Sequence, residues 1–228
     1  MAEAAPGARW VEVSPERIAG WVESFTERHG PTVAEPGAAS RLVLRAADGC
    51  VAECHPPFPP LPRPDEAPDE PLAWARLMAG HAVADRTVGV LLVRLGGYAA
   101  GVFTGAPARL AASKTGSRLV HGRSAAGGQS QQRFARRREK QAANALEAAA
   151  DTAVRVLGPY AAQLDAVVLG GDRRAITTVR ADARLRPLLS HAVDRFLTVP
   201  DPRLAVLKDT PRLFRAIRIR LTSPASPR

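Results

Sequence analysis

Between Arg123 and Arg133 the chain reads Arg-Ser-Ala-Ala-Gly-Gly-Gln-Ser-Gln-Gln-Arg, a run without a bulky apolar side chain. Such a run has nothing to bury. Its adjacent glycines, Gly127 and Gly128, open backbone conformations closed to other residues and allow another molecule to come close. Gln129 adds a neutral carboxamide that both donates and accepts hydrogen bonds. Arg133, Arg136, Arg137, Arg138 and Lys140 follow at once. At helical spacing, residues 133, 137 and 140 share one face and can reach phosphates together. A neutral tip on a cationic stalk suits delivery of backbone amides and one carboxamide into a densely anionic site. Out of context, the same residues also describe a glycine-rich surface loop beside a solvated basic face.

The distribution of charge supplies context. The chain has 228 residues, 32 Lys+Arg against 22 Asp+Glu, and a formal net charge of +10. Residues 1–75 are acidic, with 6 basic and 12 acidic side chains. Residues 109–140 carry nine basic groups, Arg118 and Arg123 among them, against Glu139 alone. The excess is therefore concentrated around the glycine loop, which points to a local polyanion site rather than to general solubility. The acidic first third argues against direct RNA binding there and favours packing against the main domain or a protein contact.

The elements that must hold this loop follow from periodicity. Val88–Leu95 and Tyr98–Phe103 flank Gly96-Gly97 as a hairpin whose arms are apolar nearly throughout, the pattern of strands covered on both faces. Residues 114–121 can extend that sheet. A long helix runs from Gln131, capped by Ser130, to Gly158-Pro159. The run Leu164–Leu169 reads as a buried strand, followed by a polar helix around 176–188, a strand at 196–199 and a last amphipathic helix over 211–221. Alternating strands and helices argue an α/β fold. Upstream, Trp10–Val13 is strand-like, Ser14-Pro15 opens a helix that stops at Gly30-Pro31, and 41–45 and 50–54 form a hairpin about Asp48-Gly49. Eight prolines between residues 56 and 71 exclude helix or central strand there and suggest a stiff excursion over the surface. Residues 72–84 form a further amphipathic helix. The expected organisation is an N-terminal region 1–75 packed on a main domain 76–222, with a frayed tail 223–228.

With these residues in view, the segment GGQSQQRFARRREKQAANALEAAADTA, preceded by Lys114–Arg118 and His121–Arg123 and followed by LDAVVLGGD, resembles the catalytic domain of eukaryotic and archaeal class I peptide release factors. Within that superfamily it is most similar to the actinobacterial branch of the Vms-like release factors, which are peptidyl-tRNA hydrolases of ribosome rescue. The resemblance covers about residues 88–221. It implies a mixed sheet with flanking helices, the ribonuclease H-like fold of release-factor catalytic domains. It further implies that Gly127 and Gly128 shape a loop that enters the peptidyl-transferase centre, and that Gln129 is the catalytic residue for hydrolysis of the ester between peptide and tRNA. Arg118, Arg123, Arg133, Arg136, Arg137, Arg138 and Lys140 would bind RNA backbone. The implied partners are peptidyl-tRNA and the large ribosomal subunit with its RNA. No codon-reading module matches, so release would not depend on a stop codon.

Two other functions fit the same basic helix: an RNA-binding ribosome factor without catalysis, and a nuclease that trims the tRNA 3′ end. Other candidate chemistries fit less well. His121 lacks a dyad partner nearby in sequence and suits a loop histidine bound to phosphate or water. Ser124 is not in nucleophile-elbow spacing. Cys50, Cys54 and His55 suggest metal, but zinc takes four ligands and no second Cys/His pair exists, so the two cysteines read as core thiols of one strand. Asp165 and Asp172 flank a strand without completing a two-metal carboxylate cluster. No metal or organic cofactor is expected.

Composition bounds the remainder. At 46% apolar residues the chain is globular, and at 5% aromatics its core must be built from Ala, Val and Leu. Two cysteines rule out a disulfide-stapled scaffold. No signal peptide is visible and the most apolar window, 88–103, is interrupted by Arg94 and too short to span a bilayer, so the expectation is a soluble, cytoplasmic monomer.

Overall fold

The computed structural model describes residues 8–38, 41–64, 68, 70–94, 96–117 and 129–224, with the side chains of 129–139 outside the described part. The chain divides into two units, Met1–Ala84 with Arg212–Arg228, and Asp85–Pro211.

The first unit is built on a five-stranded antiparallel sheet. Its strands are β1 (Ala8–Val13), β2 (Thr32–Pro36), β3 (Leu42–Ala46), β4 (Val51–His55) and β10 (Ile217–Thr222), in the order β1-β10-β4-β3-β2. Two helices accompany it, α1 (Ile18–His29) and α2 (Pro71–Val83). Ile18, Val22 and Phe25 of α1 and Trp74, Ala75 and Met78 of α2 join Leu42, Leu44, Cys54, Ile217 and Ile219 in one core. Gly30 ends α1 with φ 84°, a conformation that favours glycine, and its N–H closes the last turn on the Thr26 carbonyl.

Two expectations need correction here. Residues 217–222 form a strand, not the end of a helix, and the last helix lies earlier, as α6 (Leu204–Phe214). The cause is the period: Ile217 and Ile219 are buried while Arg218 and Arg220 between them are half-buried, the alternation of a strand. The proline-rich segment is also more than a surface excursion. Phe58 and Leu61 are buried, the Phe58 ring meets Phe214 edge-on at 6.0 Å, and the Phe58 carbonyl accepts a bond from His81 Nε2. Trp74 Nε1 likewise donates to the Pro68 carbonyl at 2.9 Å. Prolines spend no N–H donors of their own, so the helix side chains satisfy the free carbonyls of the segment. Strand β2, which pairs with β3 at the sheet edge, had no signal beyond its short Thr-Val-Ala run.

The second unit is a mixed sheet of β5 (Val88–Arg94), β6 (Gly97–Thr104), β7 (Arg109–Ser117), β8 (Ala166–Gly171) and β9 (Ala192–Leu197), in the order β7-β6-β5-β8-β9. β6 is antiparallel to β5 and β7, whereas β5, β8 and β9 are parallel. Counted in chain order this is 3-2-1-4-5 with only the second strand reversed, a mixed α/β sheet with flanking helices as expected. Its helices are α3 (Gln129–Leu157), α4 (Arg173–Arg180) and the short α5 (Arg186–Leu189). Leu91, Val93, Ala100, Val102, Val167 and Leu169 form one face of the sheet and pack with Ala149, Ala150, Ala153 and Leu157 of α3 and with Ile176 and Val179 of α4. On the other face Leu207 of α6 fills the space left open by Gly101. β5 is therefore buried on both sides, as its apolar sequence requires.

Candidate functional site

β7 delivers the chain to the glycine-rich segment and α3 receives it. β7 is an edge strand, exposed without a break over residues 113–115, with Ser117 opposite Gly97 of β6. One residue before its end, Gly116 lies under the ring of its cross-strand partner Tyr98. The next described residue is Gln129, the first of α3. The helix starts two residues earlier than its apolar pattern suggested, so Ser130 sits inside the first turn rather than capping it. Apolar periodicity could not reveal this, because residues 129–133 read Gln-Ser-Gln-Gln-Arg and carry no apolar side chain.

The consequence is chemical. The first N–H groups of a helix have no intrahelical acceptor, and they sit at the positive end of its dipole. The backbone of Gln129 belongs to that set. Arg133, Arg136, Arg137 and Arg138 are placed by their backbone on the same helix, and Lys140 on it is exposed. Gly127, Gly128, Arg118 and Arg123, with His121 and Ser124, lie outside the described residues.

Among the described side chains of α3, burial is confined to the far half. None of residues 140–148 is buried, whereas Ala149, Ala150, Ala153, Val156 and Leu157 are. Alanines at the contact let the helix backbone approach the sheet closely. Arg184 adds an ion pair to Asp151 at 2.7 Å. A helix of 29 residues is about 44 Å long, and Gln129 stands at the opposite end of α3 from these buried residues.

The alternative chemistries find structural employment instead. Asp165 accepts from the Thr87 N–H at 2.7 Å, and Asp172 caps α4 through the Ala175 N–H at 2.8 Å. These carboxylates stand beyond opposite ends of β8 and do not converge. Cys50 and Cys54 are buried free thiols, as expected. His55 has its pKa lowered, chiefly by burial, and stacks obliquely near Trp10 at 5.2 Å. Cys50 meets partners that its sequence neighbours did not suggest. Asp48 bonds to His29 Nδ1 at 2.8 Å and accepts from the Cys50 N–H at 2.9 Å, which organises the β3–β4 turn. Asp48, His29 and Cys50 are the one trio of potential metal-ligating side chains found together among the described residues. Their bonds to one another account for the arrangement.

A family model described as the actinobacteria/chloroflexi VLRF1 release factor matches residues 86–220, more than half of the chain. The chain belongs to the VLRF1 release-factor family. The matched span is close to residues 88–221, over which the chain resembles the release-factor catalytic domain. Membership places the protein among translation factors that act with the ribosome and tRNA. No curated protein matches the chain in sequence. Among solved structures, one described as the Vms1 mitochondrial localization core superposes with a TM-score of 0.42 at 11% identity, over 83% of this chain and 77% of that one. An archaeal translation termination factor, aRF1, superposes with a TM-score of 0.40 at 14% identity, over 86% and 69%. No described helix of this VLRF1-family chain is long and apolar enough to cross a membrane.

Proposed function

We propose that this release-factor-family protein is a ribosome-associated peptidyl-tRNA hydrolase that frees nascent peptide from stalled peptidyl-tRNA, independently of any codon. Water attacks the ester carbonyl, the bond to the tRNA 3′ oxygen breaks, and a peptide carboxylate and a free 3′-hydroxyl result. Negative charge develops on the carbonyl oxygen and the leaving oxygen, and the backbone N–H of Gln129 is the donor that stabilises it. Gly127 and Gly128 give the loop the shape that brings this N–H to the ester. The Gln129 carboxamide orients the water and excludes larger nucleophiles. A carboxamide is too weak a base to take the proton, so its contribution is positional and electrostatic. Arg118, Arg123, Arg133, Arg136, Arg137, Arg138 and Lys140 hold RNA backbone around the loop. Neither a metal nor an organic cofactor takes part, and the protein works as a cytoplasmic monomer.

The observation that carries this reading is the coincidence, within a family match over 86–220, of Gly-Gly-Gln with the first residue of a long helix whose opposite end is packed on the sheet. The deciding experiment measures peptide release from peptidyl-tRNA held on large ribosomal subunits. Gln129→Ala is expected to slow release by about 10²-fold while binding to the subunit is kept. Equal release by the two proteins overturns the catalytic role and leaves a non-catalytic RNA-binding factor. Sequencing the tRNA terminus after reaction tests the nuclease alternative: an intact CCA end fits ester hydrolysis and a truncated one does not.

A further inference from the structure

A second basic face lies on the 85–211 unit, away from the start of α3. Helix α4 turns Ala175, Ile176 and Val179 into the core and leaves Arg173, Arg174 and Arg180 exposed, and Arg184 and Arg186 follow, exposed as well. Between residues 173 and 186, five arginines stand against one carboxylate, Asp182. That carboxylate is already engaged, since Arg184 holds it at 2.6 Å while reaching Asp151 of α3 at 2.7 Å. Arg173 stacks over the Phe196 ring at 4.4 Å. Arg174, Arg180 and Arg186 have no ion-pair partner among the described residues. Arg180 and Arg186 line the same shallow depression.

The arrangement works against the helix that carries it. The first turn of α4 contains no acidic residue, so Arg173 and Arg174 face the positive end of the dipole with only the Asp172 cap to offset them. Cations in that position destabilise a helix. An anion supplied from outside reverses the sign of the interaction.

We infer that this face docks on the phosphate backbone of large-subunit ribosomal RNA through Arg174, Arg180 and Arg186, a contact separate from the basic stalk of α3. The inference rests on the ribosomal function proposed above. Residue 151, to which Arg184 ties the face, lies about 33 Å along α3 from residue 129. With Gln129 at the ester, a surface that far behind it meets the RNA walls of the approach rather than the 3′ end of the tRNA. The chemistry agrees. Unpaired guanidinium groups track phosphates, and the ring of Phe196 beside them is covered by Arg173 rather than open to a base.

The test is binding of the full chain to vacant large ribosomal subunits over a salt series, for wild type, Arg180→Ala/Arg186→Ala and Arg174→Glu, with a thermal melt of each. The double variant is expected to bind about tenfold more weakly at physiological salt and to lower the log–log salt slope by about 1 to 2. Arg174→Glu is expected to bind more weakly as well, yet to melt at the same or a higher temperature, because a carboxylate suits that end of the helix. A purely structural role would move both readouts down together. Affinity and slope unchanged in both variants, with wild type binding and releasing peptide normally, overturn this inference alone. A defect seen only when tRNA occupies the subunit assigns the face to tRNA and overturns it too. Failure of wild type itself to bind subunits overturns the ribosomal function with it.

Discussion

The ring of Tyr98 on β6 lies against the backbone of Gly116, its cross-strand partner on β7, so closely that a Cβ at 116 would fall within the ring's own atoms. The missing side chain is thus part of the packing: the ring occupies the space that a side chain would take on the last turn of strand before the glycine-rich segment.

Gly116→Ala should therefore destabilise the protein by about 1–3 kcal/mol, the usual range for overpacking, read as a lower midpoint in a urea melt. The double variant Gly116→Ala/Tyr98→Ala should cost less than the sum of the single changes, since the clash disappears with the ring. Additive costs would show that the two residues do not share this space.

Close approach of α3 to the sheet makes a related prediction. Ala149 and Ala153 are fully buried against strands that include Ala100 and Val102. Ala153→Leu pushes the helix off the sheet at a cost of about 1–3 kcal/mol. Because α3 positions Gln129 from its far end, the same change should slow peptide release by more than the fraction of unfolded protein explains. A melt and a release assay on one preparation compare the two effects.

Acid should loosen the β3–β4 turn in a definable window. Asp48 has its pKa lowered, first by the hydrogen bond from the Cys50 N–H and then by the bond to His29. A carboxylate whose folded pKa is depressed contributes stability above its unfolded value, about 3.9, and that contribution is lost as pH falls through the folded value. Asp48→Ala should therefore melt below wild type at neutral pH, and the gap should close below about pH 4. A gap that persists in strong acid would show that something other than the charge of Asp48 holds the turn.

Burial pushes the Cys54 thiol up to about 12 and raises that of Cys50 as well, chiefly by desolvation. The thiolate is the reactive form. In native protein at pH 8, Cys54 should react with an aromatic disulfide reagent only as fast as the fold opens, and in denaturant both thiols should react at once. Mass analysis of the labelled peptides distinguishes them, and prompt native labelling of Cys54 would contradict its place in the core.

Whatever depends on local chemistry or on a repeating pattern is legible from residue order alone. The charge maximum around Gly127, Gly128 and Gln129 was visible without a fold, and so was the resemblance to release factors. The buried hairpin of β5 and β6 and the Ala-rich face of α3 were legible because burial imposes a period on residue type. Tertiary structure alone decided the rest. The strand Ile217–Thr222 reads as a strand only once Ile217 and Ile219 have a core to enter, between β1 and β4 from the other end of the chain. Phe58 and Leu61 are core residues because helix side chains take up the carbonyls that a proline run leaves free. The start of α3 at Gln129 carries no apolar mark, since Gln-Ser-Gln-Gln-Arg over 129–133 has no apolar residue to set a period. The arginines of α4 were simply basic residues in a polar helix until the fold engaged Asp182 with Arg184 and left the others unpaired. Which charges are neutralised depends on distances between residues far apart in sequence, and those distances exist only in the folded chain.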